Sequence, residues 1–236
     1  MATAVQAMFG RISGRYDLLN RVLSARQDVA WRRQAVSRLR PHGRVLDLAC
    51  GTFDLGLEAL AQGRAGVVHG CDFCLPMLHA GAAKRSGRPI TASVGDALHL
   101  PFADASFDAA LVAYGWRNFP DPAAAAVELH RVVRPGGQVL ILEFFKPERW
   151  WPRIFHGTFG RYVIPTVGGL LSGDRSAYTY LNASTAKFLS VAEADTVLRA
   201  SGFTATVWMP FFGGVSHGVI AERGGVIAGP GGGGGA

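Results

Sequence analysis

Val45-Leu46-Asp47-Leu48-Ala49-Cys50-Gly51-Thr52 is the stretch on which the fold turns. Residues 45–49 form an apolar run interrupted by one acid, the length and composition of a strand covered on both faces. The run ends in a glycine turn, and residues 54–62 then read as a helix. A buried strand passing through a tight turn into a helix is the opening unit of a parallel α/β sheet.

Working outward, the alternation continues. Strands are expected at 67–71, 90–94, 107–114, 138–144, 204–208 and 215–222. Helices are expected at 76–86, with Pro76 in its first turn, at 122–133, and at 190–200. Arg134-Pro135-Gly136-Gly137 stops the second of these, and Ser201-Gly202 the third. The pattern predicts a mostly parallel sheet with helices on both faces, in one domain over residues 1–223. Two segments stand outside it. Residues 1–43 read as a helical N-terminal cap. Residues 145–187 carry Phe145, Trp150, Trp151, Phe155, Phe159, Tyr162, Tyr178 and Tyr180, and a connection this long is expected to serve as a lid. Residues 224–236, mostly glycine, are expected to form a flexible tail.

Composition excludes several classes. Hydrophobic residues make up 49% and charged residues 17%, so the chain buries a sizeable core and is not disordered. No apolar run approaches the roughly 20 residues of a membrane span. Three cysteines, Cys50, Cys71 and Cys74, are too few for a disulfide scaffold, and free thiols in a reducing compartment are expected. The start of the chain lacks the apolar core of a secretory signal, although its arginines and scarcity of acids give it some likeness to a transit peptide. There is no internal repeat. Lys+Arg number 24 against 17 Asp+Glu, a net charge of +7. Residues 1–44 hold nine arginines and two acids, so the whole excess sits there and the rest is balanced.

In an open α/β sheet, ligands bind at the carboxyl ends of the strands, where strand order reverses. Gly51 lets backbone approach a ligand there. Asp72, at the end of the second strand, suits a ribose diol. Both features also occur as a plain structural turn and a solvated acid. Only Gly51 and then Phe53 stand where a dinucleotide site would place G-x-G-x-x-G, so no phosphate-binding loop remains. Asp47 suits a cationic amino-acid group and Asp96 an adenine amino group, a set that favours S-adenosylmethionine. Cys71-x-x-Cys74 lacks the second pair of a zinc site, and no metal is expected.

VLDLACGT, Asp72, GDALHLPFADASFDAA, WRNFPD, ELHRVVRPGGQVLILEFFKP, AYTYL and the opening MFGRISGRYDLLNRVLS with WRR together resemble the UbiE/MenG family of quinol C-methyltransferases. The likeness is collinear from about residue 8 to 222. It implies a class I methyltransferase-like, Rossmann-like sheet of seven strands, S-adenosylmethionine as cofactor, and methylation of a ring carbon of a polyprenyl benzoquinol or naphthoquinol, demethylmenaquinol to menaquinol being one such step. By motif position it implies cofactor contacts at Thr52, Asp72, Asp96 and Ala97, with Asp47 and Gly51 in the same loop. It raises Arg117 and Asn118 from a surface turn to holders of the two ring oxygens, with Tyr16 covering the cofactor or bonding the quinol. Tyr178, Tyr180 and Glu143 are further candidates for the walls of the site. The usual family loop reads G-T-G-D, whereas this chain has Gly51-Thr52-Phe53-Asp54. Phe53 either packs away into the helix or narrows the site. A catalytically silent cofactor-binding scaffold is the alternative it motivates, and a methyltransferase of another small molecule or of RNA is a second.

The arginine-rich front and the aromatic connection suit a lipid-tailed substrate and peripheral contact with an anionic membrane surface. A cytoplasmic protein, peripheral at the inner face of the cytoplasmic membrane, is expected. A basic segment alone gives only non-specific phosphate attraction, so no nucleic-acid partner is expected. Oligomeric state is not legible.

Overall fold

The computed structural model describes residues 2–163, 166 and 175–225. Seven strands form one sheet: β1 (His42–Leu48), β2 (Ala65–Asp72), β3 (Ile90–Val94), β4 (Phe107–Ala113), β5 (Val133–Glu143), β6 (Phe203–Phe211) and β7 (Ser216–Arg223). Their order is β3-β2-β1-β4-β5-β7-β6. Pairs among β1 to β5 are parallel, and β7 runs antiparallel to both β5 and β6. The seven-stranded, mostly parallel sheet expected from the sequence is present. Order reverses between β1 and β4, which places the switch point beside the Cys50-Gly51-Thr52 turn.

The central strands are apolar on both faces because both are covered. Leu46, Leu48, Ala110, Val112, Val139 and Ile141 pack on one side with Leu129, Trp116 and Leu198. Val45, Ala109, Leu111, Leu140 and Leu142 pack on the other with Trp31, Ala35, Leu55 and Ala59. Helices α1 (Ala2–Ile12), α2 (Tyr16–Leu23) and α3 (Gln27–Ser37) precede the sheet, followed by α4 (Asp54–Ala61), α5 (Leu75–Ala80), α6 (Ala82–Arg85), α7 (Pro122–Val132), α8 (Trp150–Phe155), α9 (Arg175–Lys187) and α10 (Val191–Ala200). A wide π-type turn, His156–Val163, extends α8. Local chemistry sets the ends of these helices. The Asp121 carboxylate accepts the Ala123 and Ala124 N–H groups at the start of α7, and Ser190 with Glu193 forms a capping box on α10.

Two expectations change, and the charge of the first 44 residues is partly paired. The helix expected at 76–86 is two helices, α5 and α6, parted at Gly81. β5 begins at Val133 and runs straight through Pro135-Gly136 rather than starting after it; Val133 pairs with Phe107 across a register shift to β4. Several arginines of residues 1–44 stand beside carboxylates. Arg32 is buried against Asp28 and Asp54, Arg21 lies 3.6 Å from Asp54, and Arg40 lies 3.1 Å from Glu222. The side chain of Tyr178 and residues 226–236 of the glycine tail lie outside the described residues.

Phe53 turns away from the switch point. It sits at φ +67°, left-handed for a non-glycine residue, and its ring is fully buried. Two glycines leave room for it. A Cβ on Gly81 would lie 2.6 Å from Phe53 Cδ2, and one on Gly70 would lie 2.8 Å from Phe53 Cδ1. Phe53→Gly is expected to relieve the backbone but empty the ring's seat, a net loss of about 2–4 kcal/mol. Gly81→Ala should destabilise the natural chain by about 1–3 kcal/mol and the Phe53→Gly variant by distinctly less. Denaturant melts of the two single variants and the double variant read that coupling directly; additive losses would place the ring elsewhere.

Candidate active site

Two cavities meet at the carboxyl edge of the sheet. The larger, of about 240 Å³, lies over the ends of β1, β2, β3 and β4 and is lined by Gly51, Asp72, Asp96, Ala97, Tyr114 and Asn118, among others. The smaller, of about 140 Å³, lies under α2, α3 and α8 and includes Arg32, Arg117, Phe144, His156 and Tyr180. Phe9, Tyr16 and Tyr114 line both.

The turn after β1 is built for close approach. Ala49, Gly51 and Phe53 all have positive φ, which folds the chain back sharply before α4. The Asp72 carboxylate holds this turn in place. Its Oδ2 accepts the Gly51 N–H at 2.8 Å, and its Oδ1 accepts the Cys74 N–H at 2.8 Å. Burial pushes the Asp72 carboxyl up from its ordinary value, while these two hydrogen bonds favour the ionised form. A carboxylate offers about four acceptor sites, so two remain for a ligand.

Asp47 and Thr52 stand behind the wall of the larger cavity. Asp47 Oδ2 accepts the Gly56 N–H at 2.9 Å and so anchors α4 to β1. Thr52 is buried and donates to Asp17 Oδ1 at 2.7 Å. Lys84 Nζ joins Asp17 and Asp54, each at 2.5 Å, which straps α2 over the turn. Cys50, Cys71 and Cys74 are free and buried; burial and neighbouring carboxylates push the Cys71 thiol up to about 12, so it stays protonated. Among the described residues no group of His, Cys, Asp and Glu is arranged to hold a metal ion.

Arg117 and Asn118 fall on different cavities. Arg117 follows β4 in a short 3-10 turn, nearly buried. Its Nη1 donates to Glu143 Oε1 at 2.5 Å and to the Tyr114 carbonyl at 2.8 Å. Its Nε is buried with no hydrogen-bond partner. Glu143 is fully buried at the end of β5 and also accepts the Arg117 and Phe144 backbone N–H groups. Asn118 faces the larger cavity and accepts a hydrogen bond from the Tyr180 hydroxyl at 3.1 Å. Burial raises the hydroxyl pKa of Tyr16 and Tyr180, which keeps both as neutral donors.

Sequence reasoning missed Arg32 and His156. Arg32 lines the smaller cavity from α3, with Nη2 held by Asp28 Oδ2 at 2.5 Å and Asp54 Oδ2 at 3.1 Å. Asp28 and Arg32 at i, i+4 were the available signal. His156 lies within the aromatic connection, and only tertiary structure brings it to the cavity. Its Nε2 lies 3.3 Å from the Val215 carbonyl oxygen, and burial lowers its pKa.

The cavities differ in electrostatic character. The larger holds Asp72 and Asp96 and no lysine, arginine or histidine among its lining residues, which suits a cationic ligand without phosphates. The smaller is mostly apolar and holds two guanidinium groups, Arg32 and Arg117, against one carboxylate, Asp28, which suits an apolar molecule carrying a developing negative oxygen.

Such a sheet, with a cavity at its switch point, is the architecture of the class I methyltransferase fold. The chain belongs to the ubiE/COQ5 methyltransferase family, whose family model matches residues 1–223. It is similar to a demethylmenaquinone methyltransferase of Thermus thermophilus, 40% identical over 210 residues that cover 87% of this chain and 96% of that protein. It is also similar to the ubiquinone/menaquinone biosynthesis C-methyltransferase UbiE of Geotalea uraniireducens, 37% identical over 93% of this chain and 96% of that one. Among solved structures, a SAM-dependent methyltransferase of Thermotoga maritima, described as a possible histamine N-methyltransferase, superposes with a TM-score of 0.69 at 18% identity, covering 92% of this chain and 98% of that one. The cyclase SpnF superposes with a TM-score of 0.70 at 16% identity, covering 95% and 97%. These two share the fold.

Asp47 gives a pH signature without any ligand. Burial raises its carboxyl from 3.8 to about 7. Because the folded-state value is raised, its contribution to stability is fully present below about pH 3.8 and is lost as pH rises through about 7. An amide oxygen in Asp47→Asn still accepts the Gly56 N–H and carries no charge. The variant is expected to melt several degrees above the natural protein at pH 8, with the gap closing toward pH 5. A pH-independent difference in melting temperature would contradict the assignment.

Proposed function

We propose that this protein transfers a methyl group from S-adenosylmethionine to a ring carbon of a polyprenyl quinol, demethylmenaquinol to menaquinol or the equivalent benzoquinol step, in menaquinone or ubiquinone biosynthesis. The carrying observation is the pair of adjoining cavities with opposite electrostatic bias, joined at Phe9, Tyr16 and Tyr114. Family membership and the names of the relatives support the same reading.

The residues of the larger cavity fit the cofactor. Asp72 keeps two acceptor sites for a ribose diol, Asp96 and Ala97 stand at the end of β3 for the adenine, and Gly51 gives backbone access. A Cβ on Gly51 would lie 3.2 Å from Met77 Cε, so a side chain there would crowd this wall. Asp47 and Thr52 act by holding the turn. S-adenosylmethionine, when bound, supplies an electrophilic methyl on a sulfonium.

The smaller cavity activates and orients the ring. Ring carbon becomes nucleophilic as an adjacent hydroxyl loses its proton, and the Arg117 guanidinium, which lines this cavity, stabilises the negative charge on the resulting oxygen. Glu143 fixes the guanidinium from behind. Asn118 and Tyr16, at the border between the two spaces, hold the second ring oxygen and exclude water. His156 accepts the hydroxyl proton. A carbonyl only accepts, so His156 carries its proton on Nε2, toward Val215, and Nδ1 is its basic nitrogen. Arg117 and His156 flank one ring, with the guanidinium carbon 5.8 Å and the imidazole centroid 6.0 Å from the centre of Phe144. Bound in the larger cavity, the cofactor would supply the methyl for the new C–C bond and leave as the neutral thioether, and the ring proton would pass to water once His156 has released the hydroxyl proton, which restores aromaticity.

Labelled S-adenosylmethionine incubated with the reduced naphthoquinol and benzoquinol, followed by product mass analysis, tests the reading; no labelled quinol would refute it. Arg117→Lys keeps charge but loses the planar fork, so turnover should fall about a hundredfold while cofactor affinity changes by less than about twofold. His156→Gln should lower kcat and remove the acid limb of the pH–rate profile. In the natural protein that limb lies below the ordinary histidine value of 6.5, because burial disfavours the charged ring. An unchanged profile would remove His156 from the reaction.

A further inference from the structure

One side-chain hydrogen bond joins the two cavities. Tyr180, on α9, lines the smaller cavity, and Asn118, in the turn after β4, lines the larger. The Tyr180 hydroxyl donates to Asn118 Oδ1 at 3.1 Å, and Asn118 Nδ2 donates to the Tyr114 carbonyl oxygen at 3.3 Å. That carbonyl oxygen also accepts Arg117 Nη1 at 2.8 Å. A single backbone oxygen therefore ties Arg117 to Asn118. It belongs to a residue at φ +57°, a conformation that persists only where the surroundings enforce it.

A carboxamide has two ends of nearly the same shape and opposite hydrogen-bonding sense. Half a turn about its last bond costs little sterically, so its partners decide which end meets a ligand. At Asn118 they leave one choice. Reversed, Oδ1 would stand against the Tyr114 carbonyl oxygen, two acceptors with no proton between them. In the observed sense the oxygen end is closed by Tyr180, whose hydroxyl burial keeps protonated. An amide nitrogen carries two N–H donors; Tyr114 takes one, and the other remains for a ligand.

We propose that Tyr180 is a positioning residue for methyl transfer: by holding Asn118 Oδ1 it fixes the carboxamide so that the remaining N–H grips the second ring oxygen and keeps the ring carbon in line with the methyl group. The proposal rests on the quinol reading above. Tyr180 touches no reacting atom in this scheme and acts through Asn118. Because Arg117 shares the Tyr114 carbonyl, the grips on both ring oxygens are referred to one backbone atom, which sets the rotation of the ring as well as its place. Without the Tyr180 hydroxyl, one long hydrogen bond is left to hold the amide, and the ring is aligned in a smaller fraction of bound complexes. The apolar contacts that retain the ring in the cavity are unchanged.

Tyr180→Phe removes one oxygen atom and keeps the ring on the cavity wall. With the full chain and a reduced short-tailed naphthoquinol or benzoquinol, kcat should fall about tenfold, while quinol KM and cofactor affinity stay within about twofold and the melting temperature within about 3 °C. Asn118→Asp keeps an oxygen for Tyr180 but has no N–H to offer. In that background, itself slowed about tenfold or more, Tyr180→Phe should cost less than about twofold further. A full tenfold cost in both backgrounds would mean that Tyr180 acts independently of Asn118 and would overturn the proposal. So would a loss confined to KM.

A second readout needs no substrate. The asparagines of the chain are Asn20, Asn118 and Asn182, so protein labelled with nitrogen-15 asparagine shows three side-chain amide pairs, and Asn118→Asp identifies the one from position 118. In the ligand-free protein, Tyr180→Phe should shift and broaden that pair and leave the Asn20 pair in place. An unmoved Asn118 pair would remove the lock. A natural protein that methylates neither quinol would count against the quinol reading, and the amide signals would still decide whether Tyr180 holds Asn118.

Discussion

Everything at the switch point hangs on one carboxylate. Asp72 accepts backbone N–H groups from two loops, Gly51 after β1 and Cys74 after β2, and so fixes the distance between the two loops that form the floor of the larger cavity. The turn it holds contains three residues with positive φ, a conformation the chain would leave without such a clamp. Asp47 holds the following helix by the Gly56 N–H, and the Lys84, Asp17 and Asp54 network straps α2 across the top. A site built this way is formed before any ligand arrives, which is what a methyl transfer that depends on alignment requires.

Charge is partitioned with similar economy. Acids without cations line one space, and two guanidinium groups with the single acid Asp28 in an apolar shell line its neighbour. Both guanidinium groups are tied to carboxylates, Arg117 to Glu143 and Arg32 to Asp54 and to Asp28, which itself lines the smaller cavity. Pairing keeps these buried charges affordable, and Arg117 Nε is left without a protein acceptor. The two tyrosines at the border, Tyr16 and Tyr114, stay neutral because burial raises their pKa values.

Much of this was legible in the chain. The apolar runs and glycine turns located all seven strands, and Asp72, Asp96 and the Arg117-Asn118 pair read as strand-end groups because parallel sheets put their chemistry there. What escaped depends on long-range packing. Asp47 and Thr52 carry the family pattern, yet their side chains bond Gly56 and Asp17, which no local spacing reveals. His156 reaches the cavity only because residues after β5 fold back beside Val215. Arg32 is one of nine arginines in residues 1–44, and only the packing of α3 on the sheet sets it apart as buried. Gly81 split a helix for the sake of a ring 28 positions earlier in the chain.

That ring also constrains the order in which such a chain can change. A bulky residue at position 53 is tolerable only once positions 70 and 81 lack side chains, since a Cβ at either would overlap it. With glycine at both positions, the phenylalanine ring fills the space they leave. After that, neither glycine can be replaced alone without a clash, and the ring cannot be removed alone without a void. Three positions scattered over two loops and a strand therefore behave as a single heritable unit, and a recombinant that exchanges the segment around residue 53 without the segment around residues 70–81 inherits a misfit.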